Sequence, residues 1–455
     1  MKKLLKMILS LGFVISPTSV IVSCGEPNSQ KDPKEDSCIE PKFNNLNEQI
    51  KKPNKLTKNK SSYTKWQDAN PNRKDNVTNK IACNHTSYFS PYLDAGLYEG
   101  NEIKDVVKAS GLNHITLAFV QQVNSHNNFL DLSIAGIESS GPNYDWWAES
   151  VFYEKDLKPL VETNSFKNIK VAYGGASTGG NTIKNPWNLA LKLENNKDKA
   201  SILLEEALIN YNKKITELAS KKSGKSLIMP KNIDFDIEGA AQSEKEPNSL
   251  LANTIANMKI KDINWDFSVT LPVLPTGLTS VGISVMDEFV KAYKEKNISQ
   301  DNLPIINLML MDYGDQIYLD AIKKGQTNFD MAKEAIENTK NNLKDSIKRI
   351  YGSLNIEENK LFELIGATPM IGVNDTVEGV FTLEDAKDLY NYVHENSLAY
   401  LSVWSMNDDR GRDKNGNIIP KSLTSHGLNY LNEYDFSKAF NGIWDKNVLR
   451  PNKEI

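Results

Sequence analysis

An eight-stranded parallel α/β barrel is the fold this sequence predicts, from the count of short apolar runs and from the helical periodicity between them. Strand candidates fall at 86–92, 114–120, 168–173, 232–238, 264–271, 305–313, 363–370 and 398–404. Between them, apolar residues recur with a period near 3.6, most clearly over 187–220, 284–296, 328–351 and 383–396. Eight strand-helix repeats over a single stretch of chain give the (β/α)8, or TIM, barrel. A doubly wound open sheet is the competing arrangement, but no phosphate-binding glycine loop accompanies these strands. In a barrel the chemistry lies at the C-terminal strand ends, so each of those ends is read for what it carries.

The barrel is expected over residues 83–440, with 441–455 as a C-terminal tail. Upstream, Lys2, Lys3 and Lys6 precede a mostly apolar stretch from 7 to 22, the pattern of an export leader spanning 1–23. Ile21-Val22-Ser23-Cys24 resembles the lipobox of bacterial lipoproteins. That resemblance implies a Cys24 thiol that carries lipid and becomes the new N-terminus, holding the protein on the extracellular face of the bacterial cell membrane. Residues 24–82 are rich in Lys, Asn, Asp, Ser and Pro and too poor in large apolar residues to fold alone, so a flexible tether is expected.

Composition limits the remaining options. The chain has 39% hydrophobic and 25% charged residues and a formal net charge of -4, which gives no reason to expect nucleic acid as a partner. Its three cysteines are Cys24, Cys38 and Cys83; a Cys38–Cys83 bridge is compatible with export, but no spacing rule singles it out. The five histidines are scattered without ligand spacing, and neither metal nor other cofactor is expected.

The informative segment is Asn232-Ile233-Asp234-Phe235-Asp236-Ile237-Glu238. Strict alternation puts Ile233, Phe235 and Ile237 on one face and Asp234, Asp236 and Glu238 on the other. With the apolar face against the helices, three carboxyls point into the barrel, where burial and like charge raise at least one pKa toward the range of a general acid.

Asp234, Asp236 and Glu238 resemble the D-x-D-x-E signature of family 18 glycoside hydrolases, the chitinases and related endo-N-acetylglucosaminidases. Other strand ends agree in order. Lys170-Val171-Ala172-Tyr173-Gly174-Gly175 is similar to the family's S-x-G-G element, with Ala172 in place of the serine. Met309-Leu310-Met311-Asp312-Tyr313-Gly314 is similar to the M-x-M-D-Y-G form of one bacterial branch. Thr270 to Gly277, Ala367 to Asp375 and Val403 to Asp408 fit the same branch. Lys231-Asn232 departs from the longer family form, which has D-G ahead of the three acids.

The resemblance implies a retaining, substrate-assisted hydrolysis of bonds next to N-acetylglucosamine, with Glu238 as acid and base. Asp236 would stabilise the acetamido group, Asp234 would stand behind Asp236, and the Tyr313 hydroxyl would hold the acetamido oxygen. For substrate binding it implies Trp404 as an aromatic floor, with Met311, Gly174, Gly175 and Asn407 lining the cleft. Trp147 is placed there with them, in a loop whose Tyr144 and Trp146, like Trp187 further on, serve either sugar binding or packing. The expected partner is chitin, its oligosaccharides or another N-acetylglucosamine-containing glycan. An N-glycan endoglycosidase uses identical chemistry, and a surface lectin that kept the barrel without turnover is the reading from another class.

Overall fold

The structure, a computed structural model, describes residues 87–97, 103–123, 125–178, 185–413 and 415–443. The expected leader with Cys24, the tether, Cys38, Cys83 and the tail beyond residue 443 lie outside these.

Nine parallel segments form the barrel wall, because its first strand is divided. These are β1 (Tyr88–Phe89), β2 (Tyr92–Asp94), β3 (Ile115–Gln122), β5 (Ile169–Gly174), β6 (Asn232–Asp236), β7 (Asp266–Leu274), β9 (Ile305–Leu310), β10 (Ile365–Pro369) and β13 (Tyr400–Leu401). Their order round the sheet is β1-β13-β10-β9-β7-β6-β5-β3-β2. Since β1 and β2 are one chain direction separated only by Ser90 and Pro91, the sheet closes: Tyr88 stands beside Tyr400 on one side, and Tyr92 beside Thr116 on the other. The Ser90 and Tyr92 amides continue the ladder by donating to Leu401 and Val403. Closure removes free sheet edges. Three small additions decorate it: β4 (Leu132–Ile134) on β3, β8 (Gly277–Leu278) on β7, and the hairpin of β11 (Gly372–Val373) with β12 (Val380–Phe381).

Most strand expectations lie within two residues of these bounds, and two differences are informative. The carboxylate strand leaves the ladder at Asp236, so Glu238 belongs to the following loop as the residue before a 3-10 turn, Gly239–Ser243. The helical stretch expected over 187–220 is two helices, Pro186–Leu193 and Lys197–Ser223. Between them Asn196 adopts an extended conformation and its side chain accepts from the Lys199 amide, a helix start that competes with continuing the first helix. The helices Asn328–Tyr351 and Leu383–Glu395 open with capping boxes, Thr327 with Asp330 and Thr382 with Asp385.

The core lies between wall and helices. Outward side chains of the wall, among them Val171, Tyr173, Ile233, Phe235, Val269 and Leu308, are fully buried there. Phe235 is central: its ring stacks with Tyr173 at 5.9 Å and Phe267 at 6.4 Å and meets Trp187 edge-on at 5.8 Å. One residue thus ties three adjacent strands to a helix. Phe235→Ala is expected to cost about 3–5 kcal/mol of unfolding free energy. Denaturant titration checks this; a loss below ~1 kcal/mol would mean that the stack is not the joint described.

Candidate active site

On the inner face of β6 the environment changes along the strand. Asp234 has no exposed surface, Asp236 is 4% exposed, and Glu238 is only partly buried at the rim. Neighbouring strands supply what the acids need. Register places Ala172 and Ser268 on either side of Asp234, and Gly174 and Thr270 on either side of Asp236.

Asp234 receives three hydroxyls. Its Oδ1 accepts from Ser268 at 2.5 Å and Thr270 at 2.8 Å, and its Oδ2 accepts from Tyr92 at 2.7 Å. The direction of these bonds is set from behind. Asn307 Nδ2 donates to Thr270 Oγ1 at 2.9 Å and to Tyr92 at 3.3 Å, while Asn307 Oδ1 accepts from Thr368 at 2.8 Å. Burial raises the Asp234 pKa, opposed first by the positive charge of Lys170 and then by the three hydroxyl bonds.

Asp236 is treated differently. Burial raises its pKa well above the usual value, and the charges of Glu238 and then Asp234 add to this. The Glu238 carboxyl is its neighbour toward the rim, and the two titrate together rather than independently. The Asp236 Oδ1 is buried with no hydrogen-bond partner among the described residues. Glu238 is raised by burial, with the neighbouring Asp236 carboxyl acting the other way and the charge of Asp312 adding to the rise. Asp312 follows β9 at a positive φ of 49°, and its Oδ1 accepts from the amides of Asp375 at 3.1 Å and Thr376 at 3.2 Å. Burial raises the Asp312 pKa, and those amides oppose the rise.

An aromatic floor completes the site. Trp404 stacks on Phe119 with centroids 5.4 Å apart and meets Tyr92 at 6.0 Å, over buried Ala118 and Ala172. Gly174 and Gly175 have φ of 107° and 87°. A Cβ on Gly174 would lie 2.0 Å from the Asp236 carbonyl oxygen, and one on Gly175 would lie 2.6 Å from the Phe119 ring. Both glycines are therefore required where the backbone passes the carboxylate strand and the floor. Gln121 Nε2 holds this turn by donating to the Gly174 carbonyl at 2.9 Å and to Ser177 at 2.6 Å.

Two expected substrate contacts are corrected. Trp147 is 3% exposed and stacks face to face on Phe152 at 4.9 Å, in the helical run Pro142–Glu162 rather than in a loop over the cleft. Helical spacing, not strand alternation, decides its direction, and the inward side of that run faces the core. Asn407 is buried and spends its side chain on the backbone of Asp94, accepting from the amide at 2.8 Å and donating to the carbonyl at 3.1 Å. It joins the last strand end to the first. Tyr144 lies under the Lys214 ammonium at 4.2 Å, against an outer helix, Trp187 is fully buried, and Trp146 is exposed. Met311 is 7% exposed at its strand end. The Tyr313 ring is buried 5.6 Å from that of Tyr318, and its hydroxyl has no partner among the described residues.

Sequence reading missed Tyr92, Phe119, Lys170, Ser268, Thr270, Asn307 and Asp312. Inward parity on the strands was the available signal for Tyr92, Lys170, Ser268, Thr270 and Asn307, whereas Phe119 sits at a register shift in its strand and Asp312 lies beyond the ladder, where parity does not apply. No group of three or more His, Cys, Asp or Glu that could hold a metal occurs among the described residues, and no helix there is long and apolar enough to cross a membrane.

No protein-family model matches the chain. It is 28% identical over 362 residues to a probable bifunctional chitinase/lysozyme of Escherichia coli K12, covering 77% of this chain and 34% of that protein. It is 27% identical over 327 residues to endochitinase 11 of Metarhizium anisopliae, covering 70% of this chain and 52% of that protein. The chain thus spans a third to a half of the length of these relatives. The catalytic domain of a hyperthermophilic chitinase from Pyrococcus furiosus superposes with a TM-score of 0.52 at 23% identity, covering 79% of this chain and 96% of that domain. A structure of catalytic-site mutants of active domain 2 of chitinase from the same organism gives 0.53 with the same identity and coverage. At such identity the superpositions speak for the fold, a barrel of the chitinase catalytic type. By sequence the chain is thus similar to proteins named as chitinases, and by fold to a chitinase catalytic barrel.

Proposed function

We propose that the protein hydrolyses β-1,4 bonds next to N-acetylglucosamine, in chitin or chito-oligosaccharides, by a retaining mechanism in which the substrate supplies the nucleophile. The observation that carries this reading is the Asp236–Glu238 pair: two neighbouring carboxyls at the barrel mouth, both raised by burial, with an Asp236 oxygen buried and without a donor among the described residues. A rim carboxyl whose pKa is raised by burial and by a neighbouring anion is suited to give its proton to a leaving glycosidic oxygen. The acetamido oxygen of the same sugar then attacks C1, forming a cyclic oxazolinium ion. Asp236 takes up the acetamido N–H and stabilises the positive charge that develops there. Water opens the ring with Glu238 as base, returning the proton to the pair.

The unpartnered Tyr313 hydroxyl is assigned to the acetamido oxygen, and the Trp404–Phe119 surface to the apolar face of the reacting sugar. The two relatives named as chitinases favour chitin as substrate. Product analysis on chito-oligosaccharides and on high-mannose glycopeptides tests the choice: cleavage of the glycopeptides alone would move the assignment to the N-glycan endoglycosidases, and binding without cleavage of either would make the protein a lectin.

Glu238→Gln is expected to lower turnover roughly 10²–10⁴-fold with little change in oligosaccharide affinity; comparable turnover in that variant would remove Glu238 from its role.

Asp312→Asn should shift the alkaline limb of the pH–rate profile to lower pH. The sign follows from charge: the Asp312 anion raises the Glu238 pKa, so its removal lets Glu238 lose its proton earlier as pH rises. An alkaline limb that stays in place or moves upward contradicts the assignment.

We also propose that lipid on Cys24 tethers the enzyme to the outer face of the membrane, a reading that rests on the lipobox-like sequence. Cys24→Ser is expected to release the protein from the membrane fraction or to block its processing; retention with unchanged mobility would favour an uncleaved apolar anchor.

A further inference from the structure

Lys170 is a lysine inside a barrel. Only 3% of it is exposed, and it has no carboxylate within ion-pair distance among the described salt bridges. Its ammonium lies 3.4 Å from the centre of the Tyr400 ring and 5.9 Å from that of Tyr88, and it reaches Ser268 Oγ at 3.4 Å. Packing alone does not account for an amine here. An apolar side chain of equal length would fill the space, and a buried cation costs several kcal/mol unless its charge is used.

The bond directions give it a use. An ammonium has donors only, so Ser268 Oγ must accept from Lys170, and the hydroxyl hydrogen is then directed to Asp234 Oδ1, 2.5 Å away. Asn307 acts in the same sense on Thr270 and Tyr92, whose hydroxyls also donate to Asp234. An acid receiving three hydroxyl hydrogens is arranged as an anion. We propose that Lys170 is a positioning residue of the active centre: through Ser268 it is the counter-ion that keeps Asp234 ionised, confining the mobile proton to Asp236 and Glu238.

Charge agrees with geometry. Burial pushes the Lys170 pKa down to about 8, opposed by Asp234 and Asp266, which leaves it cationic at neutral pH. The titratable groups that face it are Asp234 on β6, Asp266 on β7, Tyr88 on β1 and Tyr400 on β13. Asp266 is largely exposed and already paired with Lys259 at 3.4 Å, so Asp234 is the partner left without a solvent-side cation. Besides Lys170, Asp234 faces Tyr92 and Asp236, with Tyr88 and Tyr400 near enough to feel its charge.

The effect on catalysis rests on the hydrolase reading, but the ion pair itself does not, and the test separates them. Lys170→Met keeps the stem and removes the charge. Without the cation the carboxyls hold their protons to higher pH, so the acidic limb of chito-oligosaccharide cleavage should move up, with kcat falling at least ~10-fold at the original optimum and KM little changed. A lower rate on an unshifted profile would overturn the proposal in favour of simple packing.

Thermal unfolding of the purified protein across pH reads the pair without substrate. In Lys170→Met the buried Asp234 has a folded-state pKa raised above its unfolded value of about 4. Its penalty is therefore full above that raised pKa and is regained as pH falls toward ~4. The melting-temperature deficit against wild type should shrink in that direction, and adding Asp234→Asn to Lys170→Met should recover part of it at neutral pH. A pH-independent deficit with no recovery overturns the pairing. Should Lys170→Met fail to fold, Ser268→Ala cuts the connection while keeping both charges; a smaller deficit of the same pH dependence supports the relay, and an unchanged pH dependence overturns it. A wild-type protein that cleaves no acetylated glycan, yet shows the pH-dependent coupling, would refute the hydrolase reading alone.

Discussion

Placing three carboxyls on the inner face of one strand is the constraint around which this structure is organised. Each buried anion costs several kcal/mol, and a hydrogen bond to a charged group returns about 1.5–3 kcal/mol. One or two such bonds do not suffice. Asp234 therefore draws on Ser268 and Thr270 from the next strand, Tyr92 from the first, and behind them Asn307 and Thr368 from two more. The barrel interior is polar because its site is, and closure of the sheet brings the first strand near enough to supply Tyr92.

The opposite face of the same strand obeys the opposite rule. Ile233, Phe235 and Ile237 are fully buried against helices, and the stack through Phe235 joins its neighbours. Because alternation links the faces, a slip of one residue in register would turn acids to the core and apolar groups to the cleft. Stability and chemistry thus select the same register, so the outer packing also aims the inner carboxyls.

Legibility in the sequence followed distance along the chain. The eight strands and the order of the three acids depend on neighbours two to four residues away, and alternation reveals them. The support of Asp234 depends on residues as much as 142 positions away, brought together only by cross-strand register. Trp147 and Asn407 were placed by proximity to strand ends, yet one follows helical packing and the other is taken up by the Asp94 backbone. Asp312 escaped notice because its positive φ breaks the alternation that served elsewhere. Lys170 sat within a motif whose glycines drew the reading, though a lysine at an inward position was itself the anomaly.

Depth gives the three acids unequal parts. Asp234, wholly buried, is held by three fixed hydroxyl donors and faces the Lys170 cation as well as Asp236, so it is the most firmly anchored of the three acids. Asp236 has no comparable set of donors, and with anions on both sides its own ionisation is strongly opposed. Glu238 stands at the rim, where burial is incomplete and an incoming oxygen can approach its carboxyl. A polar ligand that donates to the Asp236 oxygen left without a partner among the described residues would stabilise an anion there and favour a proton on Glu238. Substrate binding would then load the acid at the moment it is needed, a coupling that requires no movement of the backbone.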